Sequence, residues 1–154
     1  MPVNLNTILS FKCFLIIRKY NSHSLGGAIA IKLLSKELNS KRCMALIIQS
    51  TFTSMQDLCR YLAQKYVNLS LFENEEYFLN MKFESKDLIK RVKSSIFIIC
   101  GLKDQIVPPF MSSTLFDNAI NAKRKELCQL KARGHNDLHE DEIYYEKLER
   151  MLNF

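Results

Sequence analysis

The feature that most narrows what this chain can fold into is the string Ser22-His23-Ser24-Leu25-Gly26, set between an apolar run and an apolar helical stretch. Such a string must turn the backbone sharply from strand to helix. The small residues Ser22 and Gly26, two positions before and after Ser24, let the two elements pack closely. The turn lifts the serine to a strand end and a helix start at once, in the manner of a Gly-x-Ser-x-Gly elbow.

The rest of the chain repeats that strand-then-helix order. Phe11–Ile17 is continuously apolar except for Lys12 and is predicted as a buried strand, leaving Arg18–Asn21 as a polar connector to the elbow. A helix is predicted over Leu25–Leu38, a strand over Met44–Ile48 and a helix over Asp57–Asn68. Further strands are predicted over Ile96–Cys100 and Leu127–Leu130. Helices are expected at about Met111–Ala122, opened by Pro108 and Pro109, and over Glu142–Leu152, with Ile143, Leu148 and Leu152 inward. Strands alternating with helices imply a mostly parallel sheet covered on both faces. The length of 154 residues suits one domain over 1–154, with a small helical insertion or cap at about 57–83.

In such sheets the chemistry sits at the carboxyl ends of strands. Three candidates lie there: Ser24, then Asp104 in Gly101-Leu102-Lys103-Asp104-Gln105, then His135 in Gly134-His135-Asn136-Asp137. Taken singly, each has an ordinary explanation. A serine at a helix start is usually a cap, an aspartate after a strand usually a turn former. Nucleophile, acid and histidine in that chain order make a much stronger signal. His135 would take the proton of Ser24, and Asp104 would hold the imidazole in the right tautomer. The backbone N–H of Leu25 would face the developing oxyanion. His23 occupies the variable position of the elbow and is expected to be structural; Asn136 and Asp137 are candidates for organising the histidine loop. His139 stands four residues beyond His135, but no third-ligand pattern for zinc accompanies the pair. No metal and no organic cofactor is expected.

Net charge is +6, with one basic cluster at Lys123-Arg124-Lys125 that reads first as a solvated helix end or loop and next as a contact for an anionic membrane surface; the lack of an aromatic-interleaved basic motif argues against nucleic acid. Five cysteines, an odd number with no Cys-x-x-Cys spacing, suggest reduced thiols and a cytoplasmic or cytosol-facing location. The apolar segment Ile8–Ile17 is too short to span a bilayer, which takes about 20 residues, and lacks the flanks of a signal peptide.

Four stretches together carry a family resemblance: Ser24-Leu25-Gly26-Gly27-Ala28-Ile29-Ala30-Ile31, Ala45–Ser54 with its Ser-Thr-Phe-Thr-Ser ending, Gly101–Pro109, and Gly134-His135-Asn136-Asp137. From about Cys13 onward the chain resembles α/β-hydrolase domain-containing protein 13 and its relatives. The resemblance implies an α/β-hydrolase fold, N-terminally truncated, with Ser24, Asp104 and His135 as the triad. It also implies a membrane-associated family of serine hydrolases and an acylated or lipid-like substrate, cleaved at an ester or thioester as in removal of palmitate from proteins. The family carries glycine where this chain has Ser22, and its first strands and oxyanion loop lie upstream of the matched region. Two further readings stand beside this one: an inactive or incomplete hydrolase fragment serving at most as a binding module, which those departures suggest, and a serine aminopeptidase-like peptidase, which shares the triad.

Overall fold

The computed structural model describes residues 18–66 and 83–152. Four strands, β1 (Arg18–His23), β2 (Cys43–Gln49), β3 (Ser95–Gly101) and β4 (Lys125–Leu130), form one sheet in that order, every neighbouring pair parallel. Helices α1 (Leu25–Leu34), α2 (Glu37–Lys41), α3 (Met55–Tyr66), α4 (Ser85–Leu88), α5 (Pro109–Asn118) and α6 (Glu142–Leu152) connect and cover them.

The two middle strands are apolar because both faces of the sheet are covered. Alternation decides which side each residue serves. Leu46, Ile48, Ile96 and Ile98 pack against Ala30, Ile31 and Leu34 of α1 and Leu115 of α5. Their neighbours Ala45, Ile47, Phe97 and Ile99 face the other way, onto Leu138 and onto Tyr144 and Met151 of α6. A third cluster, Ala28, Phe52, Leu58, Val107 and Met111, joins α1, α3 and α5. It lies next to the loops that follow the strands.

The elbow strand differs from expectation. Arg18–Asn21, predicted as a connector, belongs to β1 itself, and Phe11–Ile17 lies outside the described residues. β1 pairs on one side only among the described residues, through Asn21↔Ile47, Ser22↔Ile48 and His23↔Gln49. A strand so placed carries polar residues, as edge strands commonly do. The predicted helix Leu25–Leu38 ends at Leu34; a separate turn restarts at Glu37, and Leu38 is exposed. In α6 the buried residues are Tyr144 and Met151, with Leu148 partly buried and Ile143 exposed. The segment expected as a cap, about 57–83, begins inside α3 (Met55–Tyr66), while 67–82 falls outside the described residues.

The segment after β2 shows why its residues matter. Thr51 and Phe52 are buried, the first against the elbow and the second in the third cluster. Ser54 Oγ then accepts the Asp57 N–H at 2.9 Å and caps α3. Asp57 in turn accepts from Thr53 Oγ1 at 2.8 Å and from Lys86 Nζ at 3.0 Å, tying α3 to α4. Burial works to raise the Asp57 pKa, but those hydrogen bonds outweigh it and hold the group below the ordinary carboxylate range.

Candidate active site

Ser24 is the hinge between β1 and α1. Its φ is 51° and its ψ −120°, a conformation that costs a residue with a Cβ of order 1–3 kcal/mol. Surrounding bonds hold it there. Its N–H donates to the Gln49 carbonyl at 2.8 Å, extending the β1–β2 ladder, and its own carbonyl accepts from Gly27 N–H at 3.1 Å. Thr51 Oγ1 donates to that same carbonyl at 3.3 Å. A Cβ on Gly27 would overlap the Thr51 side chain, so glycine is what lets α1 lie this close. Ser22 keeps out of the positive-φ region, and a Cβ on Gly26 would meet Ser22 Cβ only at an ordinary van der Waals distance of 3.9 Å.

The Ser24 hydroxyl makes no cap bond to α1. It lies 3.2 Å from His135 Nε2 instead. On the other side of the ring, His135 Nδ1 is 2.7 Å from Asp104 Oδ2. A carboxylate only accepts, so Nδ1 carries the proton and Nε2 presents its lone pair to the serine hydroxyl. Asp104 is buried, and its other oxygen accepts the N–H groups of Ile106 and Val107 at 2.9 and 2.8 Å. Burial alone would raise its pKa. The bonds from His135, Val107 and Ile106 overcome that and leave it lowered, so the carboxylate is ionised at neutral pH.

The acid and histidine loops are joined by backbone. Leu102 N–H donates to the Leu130 carbonyl and Lys103 N–H to that of Arg133, each at 2.9 Å. Gly101 lies beneath this seam, and a Cβ there would run into the Arg133 and Gly134 carbonyl oxygens. Replacing Gly101 with alanine is therefore expected to part the two loops and cost about 1–3 kcal/mol. A lowered denaturant midpoint with an unchanged slope would register it; a midpoint equal to wild type would contradict the packing argument. Asp137 Oδ1 accepts the Gly134 N–H at 2.6 Å, and Arg133 pairs with Glu140 and Asp141 at 3.1 and 3.3 Å, which holds the loop shape around His135.

The structure thus brings together Ser24, Asp104 and His135, and puts Leu25 in the first turn of α1, where N–H groups have no helical carbonyl to bond. His139 is exposed, and among the described residues no three of His, Cys, Asp and Glu gather closely enough to hold a metal ion. His23, expected from its place in the elbow to be structural, faces the histidine loop. Its Nε2 lies 2.9 Å from the His135 carbonyl oxygen, and the two rings stand 4.7 Å apart. A cavity of about 240 Å³ opens between His23, Gln49, His135, Asn136 and Tyr144. Cys43, Cys100 and Cys128 are buried; burial raises their thiol pKa, that of Cys100 to about 11, so they stay protonated. No helix among the described residues is long and apolar enough to cross a membrane.

Comparison with known proteins agrees with this architecture. No family model matches the chain. Protein bem46 of Schizosaccharomyces pombe is 34% identical over 103 residues, covering 66% of this chain and 32% of that protein. The α/β hydrolase domain-containing protein WAV2 of Arabidopsis thaliana is 29% identical over 114 residues, covering 68% of this chain and 35% of its own length. The chain spans about a third of the length of these curated relatives. Among solved structures, the esterase Pf2001 of Pyrococcus furiosus superposes with a TM-score of 0.65 at 16% identity, over 87% of this chain and 52% of that one. Other chains sharing the fold include a lipase and acylaminoacyl peptidases.

Proposed function

We propose that this chain, which has α/β-hydrolase relatives and shares their fold with solved esterases, is a serine hydrolase that cleaves an acyl ester or thioester through an acyl-serine intermediate. One observation carries the reading: the Ser24 hydroxyl leaves its helix uncapped and meets His135 Nε2 at 3.2 Å, while His135 Nδ1 meets Asp104 at 2.7 Å.

In the proposed reaction Ser24 Oγ attacks the acyl carbonyl carbon as His135 Nε2 takes its proton. Asp104 keeps Nδ1 protonated and stabilises the imidazolium without itself taking a proton. The Leu25 N–H bonds the oxyanion as the carbonyl becomes tetrahedral. His135 then returns the proton to the departing alkoxide or thiolate. A water attacks the acyl-serine, gives its proton to Nε2, and the acid leaves as Ser24 is restored. An acyl or lipid-like substrate is supported by apolar side chains exposed next to these groups. Leu25 adjoins the nucleophile, Leu102 and Ile106 flank Asp104, and Phe110 follows in α5.

The test is to react the folded protein with a fluorophosphonate and map the adduct by mass spectrometry, beside a panel of acyl ester, thioester and amide substrates. The expected result is one phosphonylated peptide bearing Ser24, with ester or thioester turnover exceeding amide turnover. A folded protein that forms no adduct, or forms it elsewhere, overturns the proposal; preferential amide cleavage would make it a peptidase.

A further inference from the structure

His23 immediately precedes the nucleophile, yet its side chain reaches the loop that carries the base. The Nε2–O distance of 2.9 Å to the His135 carbonyl is that of a hydrogen bond, and the rings lie 4.7 Å apart at 56°. A carbonyl oxygen only accepts, so His23 Nε2 must carry a proton. That proton is present both in the neutral Nε2–H tautomer and in the charged ring. The backbone of β1 therefore holds Ser24, and the side chain one residue earlier holds the backbone of His135. Nucleophile and base are tied twice, through Oγ–Nε2 and through this second bond.

The other holds on the histidine loop act on its flanks. Asp137 binds the Gly134 N–H, and Arg133 pairs with Glu140 and Asp141. Lys103 N–H binds the Arg133 carbonyl on the acid side. Only His23, among the described hydrogen bonds, joins the elbow to the His135 main chain. His23 is exposed and lies outside the three hydrophobic clusters, so its ring contributes little to them.

We propose that His23 is a positioning residue, which sets the separation of His135 from Ser24 by donating its Nε2–H to the His135 carbonyl. The inference rests on the serine-hydrolase reading, in which that separation governs proton transfer. Displacing a reacting group by about 1 Å can cost roughly 10²-fold in rate.

The test compares wild type with His23→Phe, which keeps a ring but has no donor, and His23→Gln, whose side-chain amide can donate. Two readouts are taken on protein shown to be folded by circular dichroism. One is the low-field NMR resonance of the proton between His135 Nδ1 and Asp104. The other is the rate of fluorophosphonate capture as a function of pH. His23→Phe is expected to broaden or lose the low-field resonance and to slow capture by up to about 10²-fold, and His23→Gln to restore most of both. Wild-type behaviour in His23→Phe overturns the proposal, as does an equal loss in both variants, which would make the role one of ring packing. If wild type itself forms no adduct, the hydrolase reading falls, and the resonance still decides whether His23 orders the histidine.

Discussion

Replacing Ser24 with alanine is expected to abolish fluorophosphonate capture and to lower ester turnover by about 10⁶-fold, the scale on which removing a catalytic serine acts in enzymes of this chemistry. The substitution removes Oγ and leaves His135 Nε2 without the hydroxyl that stands 3.2 Å away. No thiol among the described residues takes over, since burial holds Cys100 and Cys128 protonated and raises Cys59 as well. The fold is expected to survive, because the elbow is held by the Ser24 main chain and not by its hydroxyl. Ser24→Gly goes further. Glycine adopts φ 51° with no Cβ penalty, so this variant is expected to be inactive and more stable by about 1 kcal/mol. Chemical denaturation of the three proteins measures it. Capture that persists in Ser24→Ala would put the nucleophile elsewhere; a less stable Ser24→Gly would contradict the strain assigned to the turn.

The second large effect is expected from Asp104→Asn, a drop of about 10⁴-fold in turnover with little change in shape. An amide can still accept the Ile106 and Val107 N–H groups, but it can present its NH₂ to His135 Nδ1. The ring then settles with its proton on Nε2, facing Ser24, where it cannot act as a base. The same residue sets an acid limit on stability. Its pKa is lowered in the folded chain, so its contribution is fully present above the ordinary carboxylate value and is lost as pH falls through the lower, native value. Wild type should therefore lose stability on acidification more steeply than Asp104→Asn. Parallel acid limbs for the two proteins would rule out that linkage, and turnover within tenfold of wild type would remove Asp104 from the reaction.

The middle of the fold was legible because burial leaves a continuous apolar record. The strands Met44–Ile48 and Ile96–Cys100 were each extended by only one residue at either end, since covering both faces demands apolar residues throughout. β1 left no such record. Arg18-Lys19-Tyr20-Asn21 carries no hydrophobic pattern, and its strand character comes from pairing with β2. Leu38 fitted the helical period of α1 but is exposed, the helix having ended at Leu34. In α6 Leu148 packs inward as its spacing predicts, but Tyr144 takes the buried place expected of the more apolar Ile143, because the tyrosine reaches Gln49 Oε1 through its hydroxyl at 3.3 Å and gains a polar anchor. Ser24, Asp104 and His135 could be read from their order along the chain. His23 could not, because its partner is the main chain of a residue far away in sequence, and a backbone carbonyl leaves no trace in the identity of its residue.

The wholly parallel sheet also dictates how the chain must find its shape. Ser22 pairs with Ile48, Ile48 with Ile98, and Ile98 with Leu127. Among the described residues no two neighbouring strands are joined by a hairpin, so none of these pairings can nucleate locally. Each ladder must wait for a long segment to close, and the β2–β3 ladder at the centre waits longest, since α3 and everything up to Ser95 intervene. Refolding is then governed by chain topology and not by the strong strand preference of Ala-Leu-Ile-Ile or Ile-Phe-Ile-Ile. Until β2 and β3 meet, those two apolar runs are exposed and adhesive, and a dilute chain has the best chance of bringing them to each other before they meet a neighbour's.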